Sequence, residues 1–350
     1  MAPNAKRVFF VEYLSSPVYA ATLGKRPDVQ LDKLVNAQDY AAAAPILSAA
    51  HVYQAGASRQ VLAKHYHVTQ ALLDQTPNLV AVSSNGAGYD PVDVDACTER
   101  GIIVVNQSGG NKEGVAEHAL AMMLTLSKRI IETDRRMRAG PNIPRNQYIG
   151  RELLNRTVGI IGIGNVGGRL AELCKGLFQM RVLAYDPYLT EAQIKAKGAE
   201  KVALDALLRE ADFVSVNCPL TKESRYMVNA RAFGLMKPEA YFVTTARGFI
   251  HDEAALAEAL AKKQIAGAGL DVWEEEPPPH DHKLMAFDNV LISPHTAGAT
   301  VESRENMARI AAEQVLDILD GKKPPRLINP EVWPAYRERF AGIMGFAPEG

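Results

Sequence analysis

Three apolar runs in the second half of the chain end in residues that could do chemistry. AYFVTTARG puts Thr244, Thr245, Ala246 and Arg247 after one run, and AGAGLDVWEEEP puts Asp271 and Glu274, Glu275 and Glu276 after the next. NVLISPHTAGAT puts His295 after a third, between Pro294 and the small residues Ala297 and Gly298. A guanidinium grips a carboxylate through two parallel hydrogen bonds, which an ammonium cannot do. An imidazole exchanges a proton near neutral pH, and an anion beside it favours its charged form. Such a set suits a reaction in which an acid/base handles a hydroxyl proton while a cation holds and polarises substrate oxygens. Each residue alone also has a structural reading: a loop arginine before a capping Asp252, a solvated charge run, a turn histidine. Three strand ends of one sheet supplying all of them are harder to dismiss.

TVGIIGIGNVGGRLAELCKGLF carries Gly162, Gly164 and Gly167 in G-x-G-x-x-G spacing, with an apolar strand before it and a helical pattern after it. Gly162 allows the tight turn, Gly164 lets backbone approach a pyrophosphate, and Gly167 lets helix and strand pack closely. Asn165 and Val166 open the helix and present its positive end to phosphates. Asp186, in RVLAYDPY, ends the next strand where a ribose-reading carboxylate belongs. A carboxylate there accepts from ribose hydroxyls and repels a 2′-phosphate, which favours NAD over NADP.

The elements that must position these residues read as α/β. RVFFVEYL, HVYQA, LVAVSSN and GIIVVN are expected strands in the first part, with helices around 58–75 and 91–100. TVGIIG, RVLAYD, DFVSVNCP, AYFVTTA, AGAGLDV and VLISP are expected strands in the second. A long helix is expected over 112–139, with Val115, Ala119, Met122, Met123, Leu126 and Ile130 on its buried face. Another is expected over 300–320, started by Thr300 and stopped by Gly321. INPEVWPAYRERFAGIMGFAPEG reads as a partly ordered tail.

A chain of 350 residues suggests two domains, and its net charge of -1 offers no case for nucleic acid or an anionic membrane. The N-terminus lacks a signal core and no apolar run reaches membrane length, so a cytoplasmic protein is expected. The three cysteines, Cys97, Cys174 and Cys218, lack metal-type spacing and fit a reduced compartment. His280 and His282 flank Asp281 without further ligands, so no metal is expected and both read as surface residues, as do His65 and His67. His118 reads as structural, and Glu274 and Glu275 as solvated loop charges. No G-x-S-x-G elbow points to a Ser-His-Asp hydrolase.

Taken in order, TVGIIGIGNVG, YDPY, NCPLTKES, TTARG, GLDVWEEEP and SPHTAGAT resemble the D-2-hydroxyacid dehydrogenases. NGAGYDPVD, GVAEHALAMML and INPEV extend the resemblance over roughly residues 78–333, and it is looser before them. It implies two Rossmann- or flavodoxin-like lobes, with an NAD-binding domain (107–299) inserted into a discontinuous substrate-binding domain (1–106 plus 300–333) and a tail at 334–350. It implies a homodimer, NAD as cofactor, and a small 2-hydroxy or 2-oxo acid as substrate. It assigns Arg247 to the substrate carboxylate and carbonyl oxygen, His295 to acid/base work, and Glu276 to pairing with His295. Asn85, Gly86 and Ala87 would offer backbone N–H groups to the carboxylate. Cys218, Pro219, Thr245, Ala246, Asp271, His295, Ala297 and Gly298 would line the cofactor beside the glycine turn, with Asp271 meeting the nicotinamide carboxamide.

The chain also departs from the family's pattern. HVYQAGASRQVLAKHYHVTQALL lacks the arginine-serine segment expected in phosphoglycerate-type members, which counts against 3-phosphoglycerate. A surface loop is the favoured reading there, with substrate contact by Arg59, His65 or His67 the lesser one. No serine-sensing regulatory domain is expected after INPEV. Glu276 counts against a formate dehydrogenase, which has glutamine at that place. An NADH-sensing corepressor on the same fold is the alternative of another class.

Overall fold

Short β-branched runs become parallel strands here because helices bury both faces of each sheet. The computed structural model describes residues 5–56, 62–141 and 143–349. These fall into two units, Met1–Asn111 with Val301–Gly350, and Lys112–Thr300. The first holds β1 (Lys6–Val11), β2 (Val29–Leu34), β3 (Val52–Gly56), β4 (Ala81–Asn85) and β5 (Ile103–Val105), in the order β2-β1-β3-β4-β5. All pairings are parallel, a flavodoxin-like order. Phe9, Tyr53, Val82 and Val104 fill one face, and Val8, Val52, Ala81 and Ile103 the other.

The second unit holds β6 (Thr157–Ile161), β7 (Arg181–Tyr185), β8 (Glu200–Lys201), β9 (Phe213–Val216), β10 (Tyr241–Thr244), β11 (Gly267–Leu270) and β12 (Val290–Ile292). Their order is β12-β11-β10-β9-β6-β7-β8. The chain winds outward from β6 to β8, then crosses back to β9. Ligands of doubly wound sheets bind beyond the carboxyl ends of the strands at such a reversal. A Cβ on Gly269 would lie 3.0 Å from the Cβ of Met122, so the bare strand lets helix Lys112–Ser127 press onto the sheet.

Several expectations need correction. The long helix is two, Lys112–Ser127 and Ile130–Ala139, because Arg129 turns left-handed at φ 55° and the Ser127 carbonyl is taken by the N–H of Arg151. Ile130 is half exposed rather than on the buried face. The expected loose tail is helix Trp333–Met344, whose Trp333, Tyr336 and Phe340 are buried in the first unit. Their spacing puts one aromatic stripe on a helix that otherwise reads as charged. Edge strand β2 went unread because VQLDKL buries only Leu34. Helices Pro17–Leu23 and Tyr40–Leu47 also went unread. Of the expected helix 58–75, residues 58–61 lie outside the described residues, and the rest contains a short 3-10 turn at Lys64–Tyr66 and helix Gln70–Gln75. Among the described residues no helix is long and apolar enough to cross a membrane.

Candidate active site

The three glycines of the turn after β6 have separate reasons. Gly162 has φ +84°, and a Cβ there would stand 2.7 Å from the backbone nitrogen of Cys218. A Cβ on Gly167 would stand 2.2 Å from the carbonyl oxygen of Gly162. The fold itself demands both. A Cβ on Gly164 would meet nothing within 4 Å. That open space lies at the N-terminus of helix Asn165–Phe178, whose dipole favours an anion. A dinucleotide pyrophosphate therefore fits the turn. Asp186 is tied to the same turn: its carboxylate accepts the N–H of Ile163 at 3.2 Å and of Tyr188 at 3.1 Å. Each oxygen retains a lone pair for a ribose hydroxyl. Burial pushes the Cys218 thiol up to about 11, so it sits beneath the turn as a neutral group. The neighbouring Pro219 carbonyl accepts from Ser224 Oγ at 2.7 Å.

The strand ends of β10, β11 and β12 bring the acid/base candidates together. A Cβ on Gly248 would fall 1.9 Å from the carbonyl oxygen of Trp273, so the loop after Thr245 and Ala246 lies flat on the loop after Asp271. This places the charge of Arg247 within reach of Glu276. Glu276 Oε1 accepts the backbone N–H of Trp273 at 3.1 Å, and Oε2 lies 2.8 Å from His295 Nδ1. Burial pushes the Glu276 carboxyl up, but the hydrogen bond and charge of His295, the Trp273 N–H and the charge of Arg247 together hold it below its ordinary value. An anionic Glu276 only accepts, so Nδ1 carries a proton and Nε2 is left as the working nitrogen.

His295 stands in a left-handed turn, φ 54°, which costs a side-chain-bearing residue about 1 kcal/mol. Asp271 holds it there. The His295 N–H donates to the Asp271 carbonyl at 2.7 Å, and the Asp271 carboxylate accepts the N–H groups of Thr296 and Ala297 at 2.8 Å each. Asp271 is fully buried, with the turn as its partner. The sequence reading assigned it no such role.

The three consecutive glutamates part company. Glu275 is exposed. Glu274, expected to be solvated, donates its N–H to Glu253 Oε1 at 2.8 Å and accepts the Tyr226 hydroxyl at 3.3 Å. His282, expected on the surface, reaches Glu253 Oε2 at 3.0 Å and accepts the Leu284 N–H at 3.3 Å. Both corrections have one cause: Glu253, at the start of helix Glu253–Ala261, binds both ends of the loop that carries Glu276. His280 is exposed.

In the first unit, Asn85 ends β4 and Gly86 follows at φ +124°. The Gly86 N–H, expected to face a substrate, instead donates to Gln107 Oε1 at 2.5 Å, while Gln107 N–H returns to the Gly86 carbonyl at 2.8 Å. Asn106 Nδ2 donates to the Ala87 carbonyl at 2.7 Å. Two side chains that the sequence reading passed over therefore shape this loop. His65 is half-buried, not a surface residue, with Nε2 on the Gln38 carbonyl at 2.8 Å, and His67 is half-buried too. Arg59 lies outside the described residues. Among the described residues no cluster of three His, Cys, Asp or Glu side chains could hold a metal.

A doubly wound sheet with this glycine turn, and with Arg, Glu and His at adjoining strand ends, defines a dinucleotide-dependent dehydrogenase. The chain belongs to the D-isomer specific 2-hydroxyacid dehydrogenases, whose NAD binding domain matches residues 120–297. It is 39% identical over 265 residues to a glyoxylate reductase of Thermofilum pendens, covering 75% of this chain and 78% of that one. It is equally identical, 39% over 269 residues, to a D-3-phosphoglycerate dehydrogenase of Archaeoglobus fulgidus, covering 77% of this chain but 51% of that one. The D-lactate dehydrogenase of Aquifex aeolicus, solved with NAD and lactic acid, superposes with a TM-score of 0.74 at 30% identity, over 90% of this chain and 96% of that one. The chain is accordingly an NAD-dependent oxidoreductase acting on the CH–OH group of 2-hydroxy acids.

Proposed function

We propose that the protein works as a 2-oxoacid reductase on small substrates such as glyoxylate or hydroxypyruvate. The observation that supports this most is the 2.8 Å pair of His295 Nδ1 and Glu276 Oε2, with Arg247 acting on the same carboxylate. Arg247 grips the substrate carboxylate and polarises the C2 carbonyl oxygen. Protonated His295 gives a proton from Nε2 to that oxygen as negative charge develops on it, while Glu276 keeps the ring oriented through Nδ1. In the oxidative direction neutral His295 accepts the hydroxyl proton. When bound, NAD(H) would supply or take the hydride at C2. Gly164, Asn165, Val166 and Asp186 would hold its pyrophosphate and ribose, and the Asp186 carboxylate would disfavour a 2′-phosphate. Cys218, Pro219, Thr245, Ala246, Ala297 and Gly298 line it. Asp271, fully buried and committed to Ser293, Thr296 and Ala297, acts on the nicotinamide side through the turn that it holds. In the first unit, the backbone N–H groups of Asn85 and Ala87 are the candidates for meeting a carboxylate.

A homodimer is supported by helix Ile130–Ala139, which buries no residue of its own, and by Met137 and Ile149, exposed by 69% and 75%. A second copy laid on this face would cover them. The cytoplasm is supported by three free thiols.

The test is a screen of 2-oxo acids with NADH, ranked by kcat/KM. Glyoxylate or hydroxypyruvate should lead. A lead for 3-phosphohydroxypyruvate would transfer the reading to a phosphoglycerate dehydrogenase. NADH binding without turnover on any 2-oxo acid would favour a sensor and refute the reductase.

A further inference from the structure

Two part-buried polar bonds connect the first helix of the second unit to the turn that carries His295. His118, in Lys112–Ser127, has Nε2 3.0 Å from Ser293 Oγ. Ser293 Oγ lies 2.6 Å from Asp271 Oδ1. A serine hydroxyl has one proton, and a carboxylate already accepting two backbone N–H groups takes it. Ser293 Oγ can then only accept from His118, so Nε2 of His118 carries a proton and donates it. Every bond of the series points the same way: His118 to Ser293, Ser293 to Asp271, and the turn's own N–H groups to Asp271. The Ser293 carbonyl accepts Trp273 Nε1 at 3.1 Å, which leaves its hydroxyl to this series.

We propose that His118 is a positioning residue for the acid/base turn, acting through Ser293 and Asp271. The proposal rests on the reading of His295 as the acid/base. The left-handed turn at His295 is intrinsically unfavourable and persists only where its surroundings over-determine it. Asp271 supplies that determination, and His118 fixes which way the Ser293 hydroxyl and hence Asp271 Oδ1 are committed. With the His118 donor gone, the Ser293 hydroxyl is free to rotate, and Asp271 Oδ1 loses a steady partner. His295 then samples orientations in which Nδ1 leaves Glu276.

The experiment compares His118→Leu, which removes the donor, with His118→Gln, whose amide nitrogen reaches the Nε2 position, and His118→Asn, which falls short of it. In the cofactor-free protein, amide exchange at Thr296 and Ala297 should quicken about tenfold in His118→Leu and return to within about threefold of the parent in His118→Gln. With NADH and the best 2-oxo acid, kcat should fall about tenfold in His118→Leu while KM stays within about twofold, with recovery in His118→Gln. On a Ser293→Ala background the His118→Leu loss should shrink to what the direct 3.9 Å approach of His118 Nε2 to Asp271 Oδ1 carries. Unchanged exchange in His118→Leu, a glutamine variant no better than leucine, or losses that multiply with Ser293→Ala would each overturn the proposal. If His118→Leu does not fold, His118→Gln against His118→Asn decides, because only glutamine keeps the bond. A parent enzyme without turnover would sink the reductase reading and leave the exchange measurement intact.

Discussion

Replacing His251 by leucine should remove an acid sensitivity that the fold places in the second unit. His251 is fully buried beside Phe242, with ring centroids 5.5 Å apart, and neither ring nitrogen has a hydrogen-bond partner. Burial drives its pKa from 6.5 down to about 4, against a smaller opposing pull from Asp252. The sign follows from proton binding. Between pH 6.5 and 4 the unfolded chain takes up a proton at this histidine and the folded one does not, so stability falls as pH falls through that window. A tenfold difference in proton affinity between the folded and unfolded chain is worth about 1.4 kcal/mol, which places the whole loss near ~3 kcal/mol and the loss at pH 5 near ~2 kcal/mol. His251→Leu abolishes this share, because leucine binds no proton. The assay is thermal melting of parent and variant at about pH 7.5 and about pH 5, either side of most of that window. In a unit of this size about 2 kcal/mol corresponds to roughly 4–8 °C, by which the variant's advantage should be larger at the acid pH than at the alkaline one. Comparing the two pH values cancels any packing cost of the leucine and the titration of all other groups. An advantage that stays the same at both would refute the reasoning, since it would mean that the folded protein admits the charged imidazole.

Further outcomes bear on the site. Glu276→Gln should lower kcat for reduction about tenfold with little change in KM, because the anion that only accepts from His295 Nδ1 is replaced by an amide that can also turn a donor toward it. Glu276 is itself held below its ordinary value and is the anionic partner at neutral pH, so an unchanged kcat would separate it from His295. Asp186→Ala should raise KM for NADH about tenfold and barely change KM for NADPH, as expected for losing a charged hydrogen-bond acceptor; equal effects on both cofactors would remove its ribose role. Gly164→Ala, with space for its methyl, should lose less stability than Gly167→Ala, whose methyl falls 2.2 Å from a carbonyl oxygen, but should bind NADH weakly. Equal melting losses in the two would contradict the division of roles within the turn.

That division shows which parts of the site were legible in the sequence. The strand, glycine turn and helix are contiguous, so spacing within 157–178 was enough to place them. Arg247, Glu276 and His295 come from separate strand ends, and residue type made them candidates. Their roles came from the resemblance. What stayed hidden depends on partners distant in sequence. Glu274 looks like any charge in a run until Glu253 meets it from a helix 21 residues earlier. The Gly86 N–H looks available until Gln107 takes it. Helix Trp333–Met344 looks like a tail because its apolar stripe is narrow and only the rest of the unit shows where it goes.

The same reasoning explains why His118 escaped notice. Its position in the helix suggested core, and being within hydrogen-bond distance of a serine 175 residues away has no local signature. A histidine held in a left-handed turn needs support from outside its own segment, because backbone preference there opposes the required conformation. The order of β10, β11 and β12 brings that support close: Asp271 follows β11, Ser293 follows β12, and Gly269 lets the His118 helix press directly on β11. A bare glycine in the middle of a strand, which weakens the strand by itself, thus brings a second histidine to within two hydrogen bonds of the carboxylate that holds the first.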